Sequence, residues 1–149
     1  MATIHPVSSE GSSAHIGVST LRVRYVECDP MGVAHHASYL PWFEEARTEM
    51  LRAAGQTYEQ MEREGAFLVV ADLGVRYRRP IRYDDVLEVR TSITGSSSVR
   101  LEHAYELRVL ERQSEPVTTG EVVTTARTTL VCVDEDGRPR QLPGFLRPR

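Results

Sequence analysis

Apolar and polar residues alternate along most of the chain, and this alternation predicts strands. Near the N-terminus apolar residues recur at close to every second position, which predicts a first strand over residues 19–27. After residue 65, four more strands are predicted in AFLVVADLGVRYRRP, VLEVRTSITG, SVRLEHAYELRVLE and VTTGEVVTTARTTLVCVDEDG. In the third of these segments, alternate residues from Leu101 to Val109, including His103 and Tyr105, are expected to share one face.

One segment follows the helical period instead. From Ser38 onward, apolar residues recur at three- and four-residue spacings, which predicts a long helix with charged residues on its other face. The apolar stripe comprises Leu40, Phe43, Ala46 or Arg47, Met50, Leu51 and Ala54. Pro41 is compatible with the first turn, where amide groups lack an intrahelical partner, and Gly55 is a suitable C-terminal cap. A second, short helix is predicted over residues 57–64 and ends at Gly65.

The order of these elements predicts the fold class. A strand, a long helix and then four long strands, without βαβ units, indicate an α+β domain in which a mostly antiparallel sheet packs one face on a single helix. A helix roughly 10 Å wide covers only part of five strands spaced about 4.8 Å apart. The uncovered face or edge favours pairing with a second copy, so we expect a homodimer whose active site is shared across the interface.

Length and composition narrow the function. A chain of 149 residues fits one domain, which we assign to residues 18–149 after a flexible polar lead-in at residues 1–17. The lead-in lacks the features of a secretory signal and no apolar run is long enough to span a membrane, so we expect a cytoplasmic protein. The net charge of −3 argues against nucleic-acid binding. Two cysteines without CxxC spacing argue against a disulfide framework, a zinc site or a redox site.

The candidate chemistry is concentrated in ECDPMGVAHHASYLPWFEE, which runs from Glu27 to Glu45. Asp29 lies just after the predicted first strand, and His36 lies just before the predicted helix. Both residues have a structural interpretation, Asp29 as a turn residue and His36 as a helix-entry residue. The functional interpretation combines a carboxylate that acts as base or nucleophile with helix N-terminal amides, around residues 36–38, that polarise a carbonyl oxygen. The His36 side chain is then the candidate polar partner.

Two competing chemistries are less favoured by the same segment. Cys28 with a histidine would form a thiol nucleophile, but adjacent residues at a strand end point to opposite faces, so Cys28 and Asp29 are not expected in one pocket. Asp29 with His35 and His36 would offer metal ligands, but adjacent histidines rarely bind one ion and no further ligand set is evident. We therefore predict neither a metal nor a cofactor.

The segment from Val23 to Arg52 resembles the acyl-CoA thioesterases of the hotdog fold, in the 4-hydroxybenzoyl-CoA thioesterase family and its YbgC-like branch. The matching positions are Asp29, Gly32, Val33, His36, Ser38, Tyr39 and the EEAR of residues 44–47. The resemblance continues more loosely through VRYRRPIRYDDVLEV and GRPRQLP, and so covers the chain from about Leu21 to Pro143.

This resemblance implies a fold, an activity and two catalytic groups. It implies five to six antiparallel strands wrapped around the long helix, dimers or tetramers, and a pocket at the dimer interface. The implied substrate is an acyl-CoA ester. Asp29 would be the general base or the nucleophile, and the backbone amide of His36 would polarise the thioester carbonyl.

The resemblance also suggests substrate contacts. PMG stands where YbgC-like members commonly have AGG, so Met31 is expected to narrow or reshape the acyl pocket, and Tyr39 is expected beside the substrate. Trp42 is expected in the core. An arginine cluster around Pro80 suits the phosphates of coenzyme A, although a solvated strand end explains it equally well. Its members are Arg76, Arg78, Arg79 and Arg82.

Two other functions remain open on the same fold. One is a non-catalytic module that binds acyl-CoA or an acyl-carrier protein. The other is a dehydratase that acts on hydroxyacyl or enoyl thioesters, which is less favoured because no hydratase-type Asp and His pair is evident.

Overall fold

The computed structural model describes residues 16–148, which form one antiparallel sheet and one long helix. The strands are β1 (Ile16–Arg22), β2 (Phe67–Tyr77), β3 (Val86–Ser96), β4 (Arg100–Arg112), β5 (Glu115–Pro116) and β6 (Val122–Val133). The helices are α1 (Tyr39–Ala53) and α2 (Tyr58–Arg63), and three 3₁₀ turns cover Tyr25–Glu27, His36–Ser38 and Gly144–Leu146. Most of the predicted lead-in lies outside the described residues.

The strand order across the sheet is β1-β3-β4-β6-β2, with the two-residue β5 paired to β4. Every neighbouring pair is antiparallel. The predicted α+β class with five to six antiparallel strands is therefore confirmed. The order leaves β2 as an edge strand, although it follows the helices directly in the chain.

The helical segments begin and end close to the predicted residues. A 3₁₀ turn leads into α1, and Gly55 follows its end with a φ of 82°, a left-handed conformation that glycine adopts without strain. In α2 the side chain of Thr57 accepts a hydrogen bond from the Gln60 amide, while the Gln60 side chain accepts one from the Thr57 amide. Local sequence thus marks the end of α1 and the start of α2.

The main core lies between α1 and the sheet. Phe43 and Ala46 of α1 are buried against Leu87 and Val89 of β3, and the Phe43 ring lies 4.7 Å from the ring of Tyr105. The expected inward face of β4 is confirmed, because all five of its members are buried. These are Leu101, His103, Tyr105, Leu107 and Val109. The expectation that Trp42 belongs to the core is also confirmed.

Two predicted strand boundaries are wrong. The first strand ends at Arg22 rather than at residue 27, because the chain turns into a 3₁₀ helix in which the Glu27 carboxylate accepts a hydrogen bond from the Arg24 amide. The last strand begins at Val122, after a connection that contains Gly120 with a φ of 64°. In both places a turn that depends on specific hydrogen bonds or on glycine overrides a β-branched or alternating pattern.

Within residues 16–148, no helix combines the length and apolar character needed to cross a membrane.

Candidate active site

A tight turn at residues 29–32 places Asp29 beside the start of α1. The Gly32 amide donates to the Asp29 carbonyl at 3.0 Å, and the Asp29 amide donates to the Val33 carbonyl at 2.9 Å. Gly32 has a φ of 76°, which explains the glycine at this position. Cys28 and Ala34 then pair as an antiparallel bridge, so the chain doubles back toward the helix start.

The Asp29 side chain also takes part in the turn. Its Oδ1 accepts a hydrogen bond from the Met31 amide at 2.9 Å, which is an Asx turn, so the structural interpretation of Asp29 is realised. Within residues 16–148, its Oδ2 receives no hydrogen bond, and the residue is only half-buried. The turn therefore fixes one carboxylate oxygen and leaves the other available to a ligand.

The start of α1 offers fewer free amides than the sequence indicates. His35 caps the 3₁₀ turn, because its Nδ1 accepts from the Ala37 amide at 3.1 Å and its carbonyl accepts from the Ser38 amide at 2.9 Å. Of the three candidate donors at residues 36–38, only the His36 amide has no acceptor in the described part of the chain. Of these candidates, the His36 amide is therefore the one left to donate to a ligand.

Two tyrosines hold the helix start against β2. The Tyr77 hydroxyl donates to the His36 carbonyl at 2.7 Å, and the Tyr77 ring packs edge-on against that of Tyr39, 4.8 Å away. Burial raises the pKa of Tyr39 to about 12, so its hydroxyl stays protonated near neutral pH. The sequence contains no signal for the Tyr77 contact, since the two bonded residues are 41 positions apart.

A buried glutamate supports the site from behind. The Glu27 carbonyl accepts from the His35 amide and from the Ser38 hydroxyl, both at 2.8 Å. Its carboxylate accepts from the Arg24 amide at 2.8 Å, from the Arg24 guanidinium and from the Trp42 indole at 3.0 Å. Burial alone would raise the pKa of Glu27, but these hydrogen bonds outweigh it and lower that pKa. Sequence reasoning missed this role of Glu27.

Asp29, His36 and Tyr39 line one cleft with a volume of about 410 Å³. Arg78 and Arg79 line the same cleft, so five of the eight predicted site residues come together. The remaining wall is formed by Val33, Ala34, Tyr77, Pro80 and Ile81.

The other three predicted contacts lie elsewhere. Arg76 and Arg82 are exposed and do not line the cleft, and Met31 is 84% exposed at the tip of the turn. Within a single chain, Met31 therefore does not narrow a pocket. Arg79 already pairs with Glu121 at 3.0 Å, which leaves Arg78 as the more available cation at the cleft.

The competing chemistries find no support in this geometry. Cys28 does not line the cleft, and burial together with neighbouring carboxylates raises the pKa of its thiol, which keeps it protonated. Among residues 16–148, no group of three His, Cys, Asp or Glu side chains is arranged to hold a metal ion.

Comparisons with known proteins by sequence and by structure all point to thioesterases. Residues 23–148 match the family model of the thioesterase-like superfamily. The chain is 36% identical over 124 residues to the acyl-CoA thioester hydrolase YbgC of Escherichia coli O6:H1, which covers 83% of this chain and 87% of that protein. The fold of this chain matches the crystal structure of a DHNA-CoA thioesterase from Staphylococcus aureus with a TM-score of 0.76 and 34% identity. The match covers 85% of this chain and 80% of that one.

Proposed function

The chain belongs to the thioesterase-like superfamily and is an acyl-CoA thioesterase, and we propose that Asp29 and the His36 amide are its catalytic groups. One observation carries this assignment. Among the described residues 16–148, one oxygen of the half-buried Asp29 carboxylate receives no hydrogen bond, the His36 amide at the helix start has no acceptor, and both residues line the same cleft. These are the base or nucleophile and the oxyanion donor that thioester hydrolysis requires.

As a general base, Asp29 takes a proton from water while the water oxygen attacks the thioester carbonyl carbon. The carbonyl electron pair moves onto its oxygen, and the His36 amide stabilises the charge that develops there. When the intermediate collapses, the C–S bond breaks and the leaving thiolate takes up the proton. The products are the free acid and the thiol of coenzyme A, and one water is consumed.

As a nucleophile, Asp29 instead attacks the carbonyl carbon directly and displaces the thiolate. The resulting mixed anhydride is then hydrolysed by water to the acid and the original carboxylate. Both routes use the same two groups and consume one water. Single turnover in ¹⁸O-labelled water separates them, because only the nucleophilic route can leave label in the Asp29 side chain.

We also infer that the working enzyme is a cytoplasmic homo-oligomer built on the β2 edge. The edge strand is long and carries four large exposed apolar side chains, a combination that favours strand pairing with a second copy. These are Val69, Val70, Leu73 and Tyr77. Since Tyr77 also lines the Asp29 cleft, a second copy paired here would lie beside the site.

Thiol release from a panel of acyl-CoA esters tests the activity. The panel contains short, medium and long aliphatic esters and an aromatic ester, and free thiol is measured with a thiol-reactive dye. We expect release from at least one ester. Binding of the esters without release would instead favour the non-catalytic module, and an absorbance change on an enoyl thioester without release would favour a dehydratase.

A further inference from the structure

The His35 imidazole takes part in the turn that presents the His36 amide. Its Nδ1 accepts a hydrogen bond from the Ala37 amide at 3.1 Å, as the side chain of an N-cap residue does. The backbone of His35 is fixed as well, because its amide donates to the Glu27 carbonyl at 2.8 Å and its carbonyl accepts from the Ser38 amide at 2.9 Å. His35 is therefore bonded through its side chain and through both of its backbone polar groups.

These bonds orient the two peptide groups that flank His36. The His36 N–H and the His35 carbonyl belong to one planar peptide group, so the Ser38 bond to that carbonyl also orients the N–H. The next peptide group is held at both ends, because its carbonyl accepts from the Tyr77 hydroxyl at 2.7 Å and its N–H, that of Ala37, donates to the His35 imidazole. The imidazole thus helps to fix the residue whose amide is the proposed oxyanion donor.

The imidazole can form this bond in one protonation state only. A ring nitrogen accepts a hydrogen bond when it carries no proton, and in a charged ring both nitrogens are donors. A charged His35 would lose the bond to the Ala37 amide and place a positive charge near the start of α1, where the helix dipole disfavours it. Histidine is the side chain whose charge ordinarily changes between about pH 5 and 8.

The titratable groups beside His35 do not offer it an ion pair. The His36 ring lies 4.0 Å from the His35 ring, so two charged rings would repel each other. The Glu27 carboxylate is bonded to Arg24, and within residues 16–148 no salt bridge includes His35. The remaining titratable groups of the helix start line the cleft, which His35 does not, and they are Asp29, Tyr39 and Tyr77.

We propose that His35 is a positioning residue for the His36 amide and that it acts only while its Nδ1 is unprotonated. Protonation of His35 releases the Ala37 amide, loosens the helix start and displaces the oxyanion donor. Turnover then falls in acid for a reason that is separate from the Asp29 carboxylate. The inference rests on the proposed thioesterase function and adds to it a residue that controls its pH dependence.

The test compares the unmodified chain with His35→Asn and His35→Phe. Asparagine has a side-chain oxygen that can accept from the Ala37 amide at every pH, whereas phenylalanine keeps a ring beside His36 but has no acceptor. For each protein, kcat and KM are measured with one acyl-CoA ester at about pH 8 and about pH 5, the limits of the range in which histidine ordinarily changes its charge. Hydrolysis is followed by the loss of thioester absorbance, and circular dichroism checks that each protein is folded at both pH values.

The expected result is a difference in the ratio of kcat at the higher pH to kcat at the lower pH. We expect this ratio to be at least about threefold larger for the unmodified chain than for His35→Asn, with a smaller change in KM. His35→Phe should show the same ratio as His35→Asn, but a kcat at least about threefold lower at the higher pH. Asp29 and His36 are present in all three proteins, so their own protonation contributes to every profile.

The inference is overturned if the unmodified chain and His35→Asn have the same pH ratio, or if His35→Phe is as active as His35→Asn at the higher pH. A residue that served stability alone would change the unfolding of the variants and leave the pH ratio of the folded proteins unchanged. Absence of hydrolysis by all three proteins at both pH values would instead contradict the proposed function, on which this inference rests.

Discussion

The 3₁₀ turn that ends at Glu27 and the tight turn that begins at Asp29 are separated by one residue, yet they use their carboxylates in opposite ways. The Glu27 carboxylate is buried, and both of its oxygens accept hydrogen bonds from Arg24 or Trp42. The Asp29 carboxylate is half-exposed and, within the described residues, receives one hydrogen bond from the Met31 amide.

This difference suits the two carboxylates to different roles, one in supporting the helix start and one in the proposed chemistry. A carboxylate whose oxygens are all bonded contributes to the rigidity of the helix start, whereas a carboxylate with a free oxygen in a cleft is available to water or to a thioester. Substitutions at the two positions should therefore affect different quantities, with stability changing at residue 27 and turnover at residue 29.

The largest effect is expected for Asp29→Asn. Asparagine keeps the oxygen that accepts from the Met31 amide, so the turn should survive, but it cannot act as base or nucleophile. We expect kcat to fall by at least about 10²-fold, measured by thiol release, with an unchanged circular dichroism spectrum. His36→Ala is the control, because it keeps the backbone amide and should cost less. Equal losses in both variants would show that the His36 side chain does more than position the amide.

Glu27→Ala should act on stability instead. The substitution leaves the buried Trp42 indole N–H and the Arg24 amide without their acceptor, which we expect to lower the free energy of unfolding by about 2–3 kcal/mol. Urea denaturation measures this change. Glu27→Gln keeps an acceptor oxygen and should lose less, so an equal loss in both variants would contradict the assigned hydrogen bonds.

The stability contribution of Glu27 should also depend on pH. The pKa of Glu27 is lower in the folded state than its ordinary value of 4.5, so its contribution to stability is present above pH 4.5 and is lost as the pH falls through the folded-state value. His103 also destabilises the fold in acid, because burial lowers its folded-state pKa from 6.5 to about 4 and the unfolded chain therefore binds its proton more readily. The contribution of Glu27 is therefore measured as the difference in stability between the unmodified chain and Glu27→Gln. We expect the stability advantage of the unmodified chain over Glu27→Gln to be constant above about pH 5 and to shrink below pH 4.5. An advantage that stays constant into stronger acid would contradict this.

The smallest effect is expected for Tyr77→Phe. It removes the hydroxyl that donates to the His36 carbonyl but keeps the ring that packs on Tyr39. The net value of such a bond is about 0.5–1.5 kcal/mol, so we expect a loss of stability in that range and a kcat reduced severalfold. If this variant lost as much activity as Asp29→Asn, the Tyr77 hydroxyl would have to be part of the chemistry.

Sequence patterns identified the fold because its elements depend on local features. The apolar period of α1, the caps at Thr57 and Gly55, and the inward face of β4 are all encoded over a few neighbouring residues. The position of β2 at the sheet edge follows from pairing with β6, which local alternation does not encode.

The site was predictable only in part. Asp29 and His36 are close in sequence, so their spacing and the family resemblance place them together, whereas Tyr77 and Glu27 act through contacts that depend on the tertiary fold. Along α1, the helical spacing permitted either Ala46 or Arg47 on the apolar stripe. Only the packed structure shows that both are largely buried.

The proposed role of Asp29 is tested most directly by the ratio of thiol-release rates of Glu27→Gln and Asp29→Asn, measured with one acyl-CoA ester at a temperature where both variants are folded. Asp29→Asn should be slower by at least about 10²-fold, because in the proposed mechanism Asp29, and not Glu27, acts on the reacting atoms. Equal rates, or a slower Glu27→Gln, would contradict it.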